Sequence, residues 1–187
     1  MSITPQELKI VKQLTGSFFS GRRQQLGFTQ QKLAEKTGVR KSTVQRIEYG
    51  KFVPGGETLL SLVSELGLSL VFRNRPENES FVELLEKTWA IAENRNADRG
   101  SVQDSDFDAA DAGSKIGNFF SGRRQQLGLT QKEVADQAHL GLPTIQRIEY
   151  GRHLPDGKSL FKVCGALQCV FYPVNFTGEF VVFEPGN

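Results

Sequence analysis

The chain is poor in sulfur and imidazole, and it contains no long apolar run. Of its 187 residues two are cysteines, Cys164 and Cys169, and two are histidines, His139 and His153. Metal sites draw on several Cys and His ligands at set spacings. Two cysteines in one apolar stretch and two scattered histidines do not supply them, so the thiols read as buried structural groups, and no metal or cofactor is expected. A helix that crosses a bilayer needs about 20 apolar residues in a row. Nothing here approaches that, and no membrane partner is expected. The start, Met1-Ser2-Ile3-Thr4-Pro5, lacks a basic-then-apolar leader, which points to the cytoplasm. No Ser/His/Asp constellation, phosphate-cradling glycine loop or pair of catalytic carboxylates stands out, so neither catalytic residues nor an enzyme is expected.

What the chain has instead is a repeat. Phe18–Gly27 and Phe119–Gly128 both read Phe-Phe-Ser-Gly-Arg-Arg-Gln-Gln-Leu-Gly. At an offset of 101 residues, Phe18–Pro54 and Phe119–Pro155 agree at 21 of 37 positions without a gap. Each copy is one structural unit, and two such units are too few for a solenoid. They read as a fusion of two domains that would otherwise meet as a homodimer. The net charge of +2 hides an uneven distribution: residues 1–76 carry 12 Lys/Arg against 5 Asp/Glu, 77–113 carry 3 against 10, and 114–187 carry 8 against 6. Two basic blocks around an acidic one suit a chain that lays two faces on a polyanion and holds its linker away. The expected domains are 1–75, an acidic linker with one amphipathic helix at 76–103, and 104–187.

Local signals divide each copy into helices and a strand. Thr4-Pro5-Gln6-Glu7 combines an N-cap, a proline at the first helical position and a capping-box glutamate. The helix it opens should end near Gly27. A second helix starts at Thr29 and stops at Thr37-Gly38. A third covers roughly Lys41–Glu48, with Val44 and Ile47 inward, a fourth spans Thr58–Leu66, and Leu68–Phe72 reads as a strand. The second copy repeats this, with Ser105 in the place of Thr4 and Thr130 in the place of Thr29. Its strand, Cys169–Val174, is followed by a strand-like run, Glu179–Phe183, whose open edge offers a route to self-association. His139 replaces Gly38 at a turn position that often needs positive φ, which histidine tolerates better than most side chains. Between the copies, Glu79–Glu93 places Phe81, Leu84, Leu85, Thr88, Trp89 and Ala92 on one helical face, and Arg95–Asp104 reads as a flexible polar segment.

Two short helices joined by a tight turn inside a small bundle form a helix-turn-helix. The run Arg22–Val39 followed by Ser42–Lys51 carries the signature Leu-Gly-x-Thr-Gln…Leu-Ala…Ile-Glu-x-Gly. It resembles the Cro/C1-type family of phage repressors and bacterial regulators over roughly 60 residues of each copy. The resemblance implies a mainly α fold of two lambda-repressor-like helix-turn-helix bundles forming a pseudodimer. It also implies sequence-specific binding of double-stranded DNA, with the third helix in the major groove. Arg23–Glu48 and Arg124–Glu149 match the family's ion pair, which ties the end of the first helix to the end of the third. Thr58–Arg73 is also similar to the C-terminal half of HipB-type antitoxins, where this strand pairs with its dimer mate. That likeness implies that Leu68–Arg73 pairs with Cys169–Val174 within one molecule as a small β-ribbon, packed by Phe72, Phe171 and Phe176.

The resemblance then assigns residues to DNA. In the first copy Arg40, Lys41, Ser42, Thr43 and Arg46 lie where base edges are reached. The second copy offers Gly141, Leu142, Pro143, Thr144 and Arg147. Gln30 and Gln131, in the first turn of each second helix, can meet a phosphate or a base edge. Lys51 and Arg152 should meet phosphates, and the repeated Arg-Arg-Gln-Gln runs read as near the DNA. Because the two third helices begin differently, the expected targets are two related but non-identical half-sites; the alternative is that the second copy grips mostly backbone. The expected protein is a monomeric pseudodimer, nucleoid-associated, that regulates transcription at an operator, most simply as a repressor. The competing reading is an antitoxin-like interaction protein that neutralises a toxin partner such as a HipA-type kinase and autoregulates its operon.

Overall fold

The computed structural model describes residues 4–75, 83, 87, 109–175 and 181–184. Among these, the first copy supplies α1 (Pro5–Gln25), α2 (Gln30–Thr37), α3 (Lys41–Glu48), α4 (Gly56–Glu65) and β1 (Leu68–Asn74). The second supplies α5 (Ala109–Gln126), α6 (Gln131–Ala138), α7 (Leu142–Glu149), α8 (Gly157–Ala166), β2 (Cys169–Asn175) and β3 (Val181–Glu184). Ser105, Phe176, Arg95–Asp104 and most of Glu79–Glu93 lie outside the described residues; Glu83 and Lys87 are helical and exposed. Among the described residues no helix is long and apolar enough to cross a membrane.

Local chemistry sets the helix bounds. Thr4 Oγ1 accepts from the Glu7 backbone N–H at 3.1 Å, and Glu7 Oε2 accepts from the Thr4 N–H at 2.7 Å, closing the expected capping box. Thr130 and Glu133 build the same box at the start of α6. There the bond from the Thr130 backbone, then that from its hydroxyl, hold the Glu133 carboxyl below the usual range. α3 has the expected limits, while α4 starts at Gly56, two residues before Thr58. His139 occupies the left-handed position of Gly38 at φ 50°, and Gln168 takes that of Gly67 at φ 51°.

β1 and β2 form the expected antiparallel ribbon, and its register is symmetric. Val71 lies opposite Tyr172, its own counterpart 101 residues on, with Leu68 opposite Asn175 and Asn74 opposite Cys169. Reciprocal pairing of this kind is what an isologous two-fold contact produces. A pseudo-two-fold axis therefore passes between Val71 and Tyr172. The ribbon is not alone: β3 adds in parallel to the other edge of β1, from Leu70 opposite Val181 to Arg73 opposite Glu184. Leu68–Phe72 is buried throughout, like a central strand. An unpaired edge there would leave buried backbone groups without partners. β2 stays at the rim of the sheet, where Pro173 removes no ladder bond that the fold needs.

Both copies share one core. Phe72 on β1 sits with its ring 5.5 Å from Phe119 and 5.7 Å from both Phe120 and Phe171, so the first copy's strand is packed by the second copy's helix. α8 is capped by Asp156, whose Oδ1 accepts from the Ser159 N–H at 3.0 Å and whose Oδ2 accepts from its hydroxyl at 2.7 Å. Partial burial alone would raise the Asp156 carboxyl, but the Ser159 bonds, helped by the Lys158 backbone and His153, hold it below the usual aspartate range. A depressed folded value stabilises above the unfolded value of about 3.9 and is lost as pH falls through the folded one. Asp156→Ala is expected to cost about 1 kcal/mol at pH 7. Urea unfolding at pH 7 and pH 3 should show the gap between variant and parent narrowing in acid.

Candidate nucleic-acid interface

Each third helix is seated against the first helix of its own copy. A Cβ on Gly16 would lie 2.5 Å from the Ile47 carbonyl oxygen and 2.8 Å from that of Glu48, so only glycine lets α1 approach the end of α3 this closely. Gly117 repeats the contact against Ile148 and Glu149 at 2.6 and 2.7 Å. Next to it, Arg23 Nε donates to Glu48 Oε1 at 2.5 Å and Nη2 donates to Oε2 at 3.0 Å, while Nη1 reaches the Phe28 carbonyl at 2.6 Å. Arg124 holds Glu149 at 2.7 and 3.1 Å and the Leu129 carbonyl at 3.0 Å. Bidentate guanidinium–carboxylate pairs are directional. These two fix the axial position of α3 and α7 relative to α1 and α5.

Gln30 and Gln131 join the same network. Gln30 Nε2 donates to Glu48 Oε2 at 2.8 Å, and Gln131 Nε2 donates to Glu149 Oε2 at 2.9 Å. In the first copy Gln45 Nε2 also donates to Gln30 Oε1 at 3.4 Å, linking α2 to the outer side of α3. One amide proton of each first-turn glutamine is thus committed to the scaffold, which orients what remains of the amide.

The outward faces differ between copies. Arg40, Lys41, Ser42 and Arg46 are exposed on and beside α3, with Thr43 half-buried and Lys51 exposed just beyond it. At α7, Leu142, Pro143 and Arg147 are exposed, Thr144 is half-buried, and Arg152 is exposed beyond the helix. Leu142 is one of only three large apolar side chains exposed among the described residues. Leu142 and Pro143 stand where the first copy has Lys41 and Ser42, and Gly141 takes the N-cap place of Arg40, so both cations at this helix start are gone.

Two copies of a short helix, a left-handed turn and a second short helix, locked by the same ion pair, decide the classification. The sequence matches the helix-turn-helix family over residues 22–72 and again over 123–170. The chain belongs to the Cro/C1-type helix-turn-helix family. No curated protein and no solved structure matches the chain. Membership in this helix-turn-helix family makes it a DNA-binding regulator with tandem domains.

The arginines of the repeated run turn inward. Arg22 is buried and its Nε donates to the Leu66 carbonyl at 3.0 Å; Arg123 Nε reaches the Leu167 carbonyl at 3.0 Å. They satisfy the carbonyl ends of α4 and α8, while Arg23 and Arg124 hold the carboxylates. Of the run, Gln24, Gln25, Gln125 and Gln126 remain exposed. Cys164 and Cys169 are fully buried. Burial, and then the neighbouring Cys169 thiol, push the Cys164 thiol well up, so it stays protonated.

A pair of residues escaped the sequence reading. Tyr49 and Tyr150, the residues that end α3 and α7, are 65% and 64% exposed. Lys51 Nζ lies 6.0 Å from the Tyr49 ring and Arg152 Cζ 5.7 Å from the Tyr150 ring. The signal was present: both tyrosines sit inside the repeated Ile-Glu-Tyr-Gly, at a position that no helix periodicity assigns to the core. Beside the third helix, a further stacked cation is found in the first copy alone. Arg46 Cζ lies 5.5 Å from the Phe52 ring, and the second copy has His153 at that place.

Proposed function

We propose that the protein is a transcriptional repressor that reads two related, non-identical half-sites as a single-chain pseudodimer. The symmetric β1–β2 register is the observation that carries this reading. It relates the two helix-turn-helix units by a pseudo-two-fold axis, the symmetry that half-site recognition requires. Residues 76–103 serve as the tether, and their acidic character keeps them off the DNA. The half-site centres would lie about one helical turn, roughly 34 Å, apart.

α3 and α7 enter successive major grooves. Arg40 and Lys41 suit guanine O6 and N7, whereas Leu142 and Pro143 suit a thymine methyl. Arg46 and Arg147 supply the element the half-sites share. Lys51 and Arg152, with Tyr49 and Tyr150 beside them, grip the sugar-phosphate backbone past each recognition helix. Bound there, the protein occludes a promoter, and affinity falls steeply with salt as counterions are released.

The test is a selection of bound sequences from a random DNA pool, followed by titration of Arg46→Ala and Arg147→Ala. Each variant is expected to lose about 1–3 kcal/mol, and each to relax sequence preference in one half of the selected site only. Equal losses on scrambled DNA would mean that both arginines touch phosphate alone.

A further inference from the structure

Besides the sheet, the two copies meet at the turns that enter α4 and α8. The Gly56 N–H donates to the Pro155 carbonyl at 2.8 Å. The chains cross so tightly that a Cβ on Gly55 would overlap the backbone of Asp156 and Gly157, and a Cβ on Gly157 would strike the carbonyl oxygens of Val53 and Pro54. The obstructing atoms are backbone, so no rotamer change relieves them. This also explains an asymmetry between the copies: Asp156 caps α8, but its counterpart Gly55 cannot carry a capping side chain.

Each turn leads straight out of a recognition helix. Lys51 and Phe52 donate their backbone N–H groups to the Arg46 carbonyl at 2.8 and 3.1 Å, and Arg152 donates to Arg147 at 2.9 Å. A displacement at the crossing is therefore passed to α3 and α7 over a few bonded residues. The crossing adds to the ribbon and the shared core a contact that lies close in the chain to both recognition helices, and it fixes a distance that the sheet side alone would leave free to rock.

We propose that the glycine crossing sets the separation of the recognition helices, and hence the number of base pairs the protein accepts between half-sites. This rests on the pseudodimer reading. The probes are duplexes bearing the sequence selected from a random pool, with the centre lengthened or shortened by one base pair, and duplexes bearing either half-site alone. The wild-type chain should lose at least tenfold in affinity for either altered centre. Gly157→Ala should bind the isolated half-sites as the wild type does, yet discriminate between centres at least tenfold less. Gly122→Ala, whose Cβ would meet nothing within 4 Å, should discriminate as the wild type does. If Gly157→Ala does not fold, Pro155→Ala, which loosens the same crossing without a clash, should show the reduced discrimination.

Undiminished discrimination in a folded Gly157→Ala or Pro155→Ala chain overturns the role of the crossing and leaves the pseudodimer intact. A wild-type chain indifferent to the length of the centre overturns the pseudodimer reading itself, and this inference with it.

Discussion

Glu48→Ala is expected to lower the free energy of unfolding by about 3–5 kcal/mol, a large part of the roughly 5–15 kcal/mol that holds a typical domain together. The carboxylate is 4% exposed and the Arg23 side chain 10% exposed, so neither is solvated enough for water to replace the partner. Removing Glu48 strands the Arg23 Nε and Nη2 protons and the Gln30 amide at once, leaving Arg23 the Phe28 carbonyl as its hydrogen-bond partner among the described residues. The loss comes mainly from leaving a buried cation without its counter-charge. Replacing both partners by apolar residues, as in Arg23→Met with Glu48→Leu, should therefore cost less than Glu48→Ala alone. Glu149→Ala tests the same argument in the second copy, where the carboxylate is 3% exposed. Urea denaturation followed by circular dichroism measures all four chains. A loss below about 1 kcal/mol for Glu48→Ala would put the pair in the class of solvated surface bridges and sink the argument.

The parts of this fold that were legible in the sequence are those written in short-range chemistry. Capping at Thr4, the helix start at Thr130, the glycine after α1 and the limits of α3 depend on residues within a turn of one another, and the reading of each agrees with the structure. The β1–β2 pairing was reached through likeness to a family, because nothing local names a strand's partner. What was missed depends on distant groups. The parallel addition of β3 follows from the burial of β1, which only the assembled core defines. Arg22 and Arg123 look like solvent-facing helix ends until the carbonyls of Leu66 and Leu167 are placed beside them. α4 begins at Gly56, two residues before Thr58, because the crossing of the two turns, which no local signal marks, fixes Gly55 and Gly56. For the candidate site, the outward positions of α3 and α7 were legible from helix periodicity, but the engagement of Gln30 and Gln131 with the scaffold was not.

Phe72→Ala should cost about 3–5 kcal/mol and, unlike Glu48→Ala, should act on the join between the copies. The ring is fully buried and touches three phenylalanines of the second copy, two of them on α5. Its counterpart under the 101-residue offset is Pro173, so the symmetric position holds no aromatic ring. There the structure has a small apolar void of about 10 Å³ lined by residues including Phe19, Leu70, Phe161 and Pro173. A space of that size, walled by apolar groups apart from Thr15, is at the lower limit for a single water. Of the two symmetry-related strand positions only Phe72 carries an aromatic side chain, so its truncation would add a second, larger void to the join. Loss of this ring should lower the urea midpoint, and it should weaken binding to the full operator more than binding to either half-site, because the two heads lose their common anchor while each keeps its ion pair. Equal weakening on full and half operators would mean that Phe72 merely supports one bundle, and the shared core would then have no part in coupling the heads.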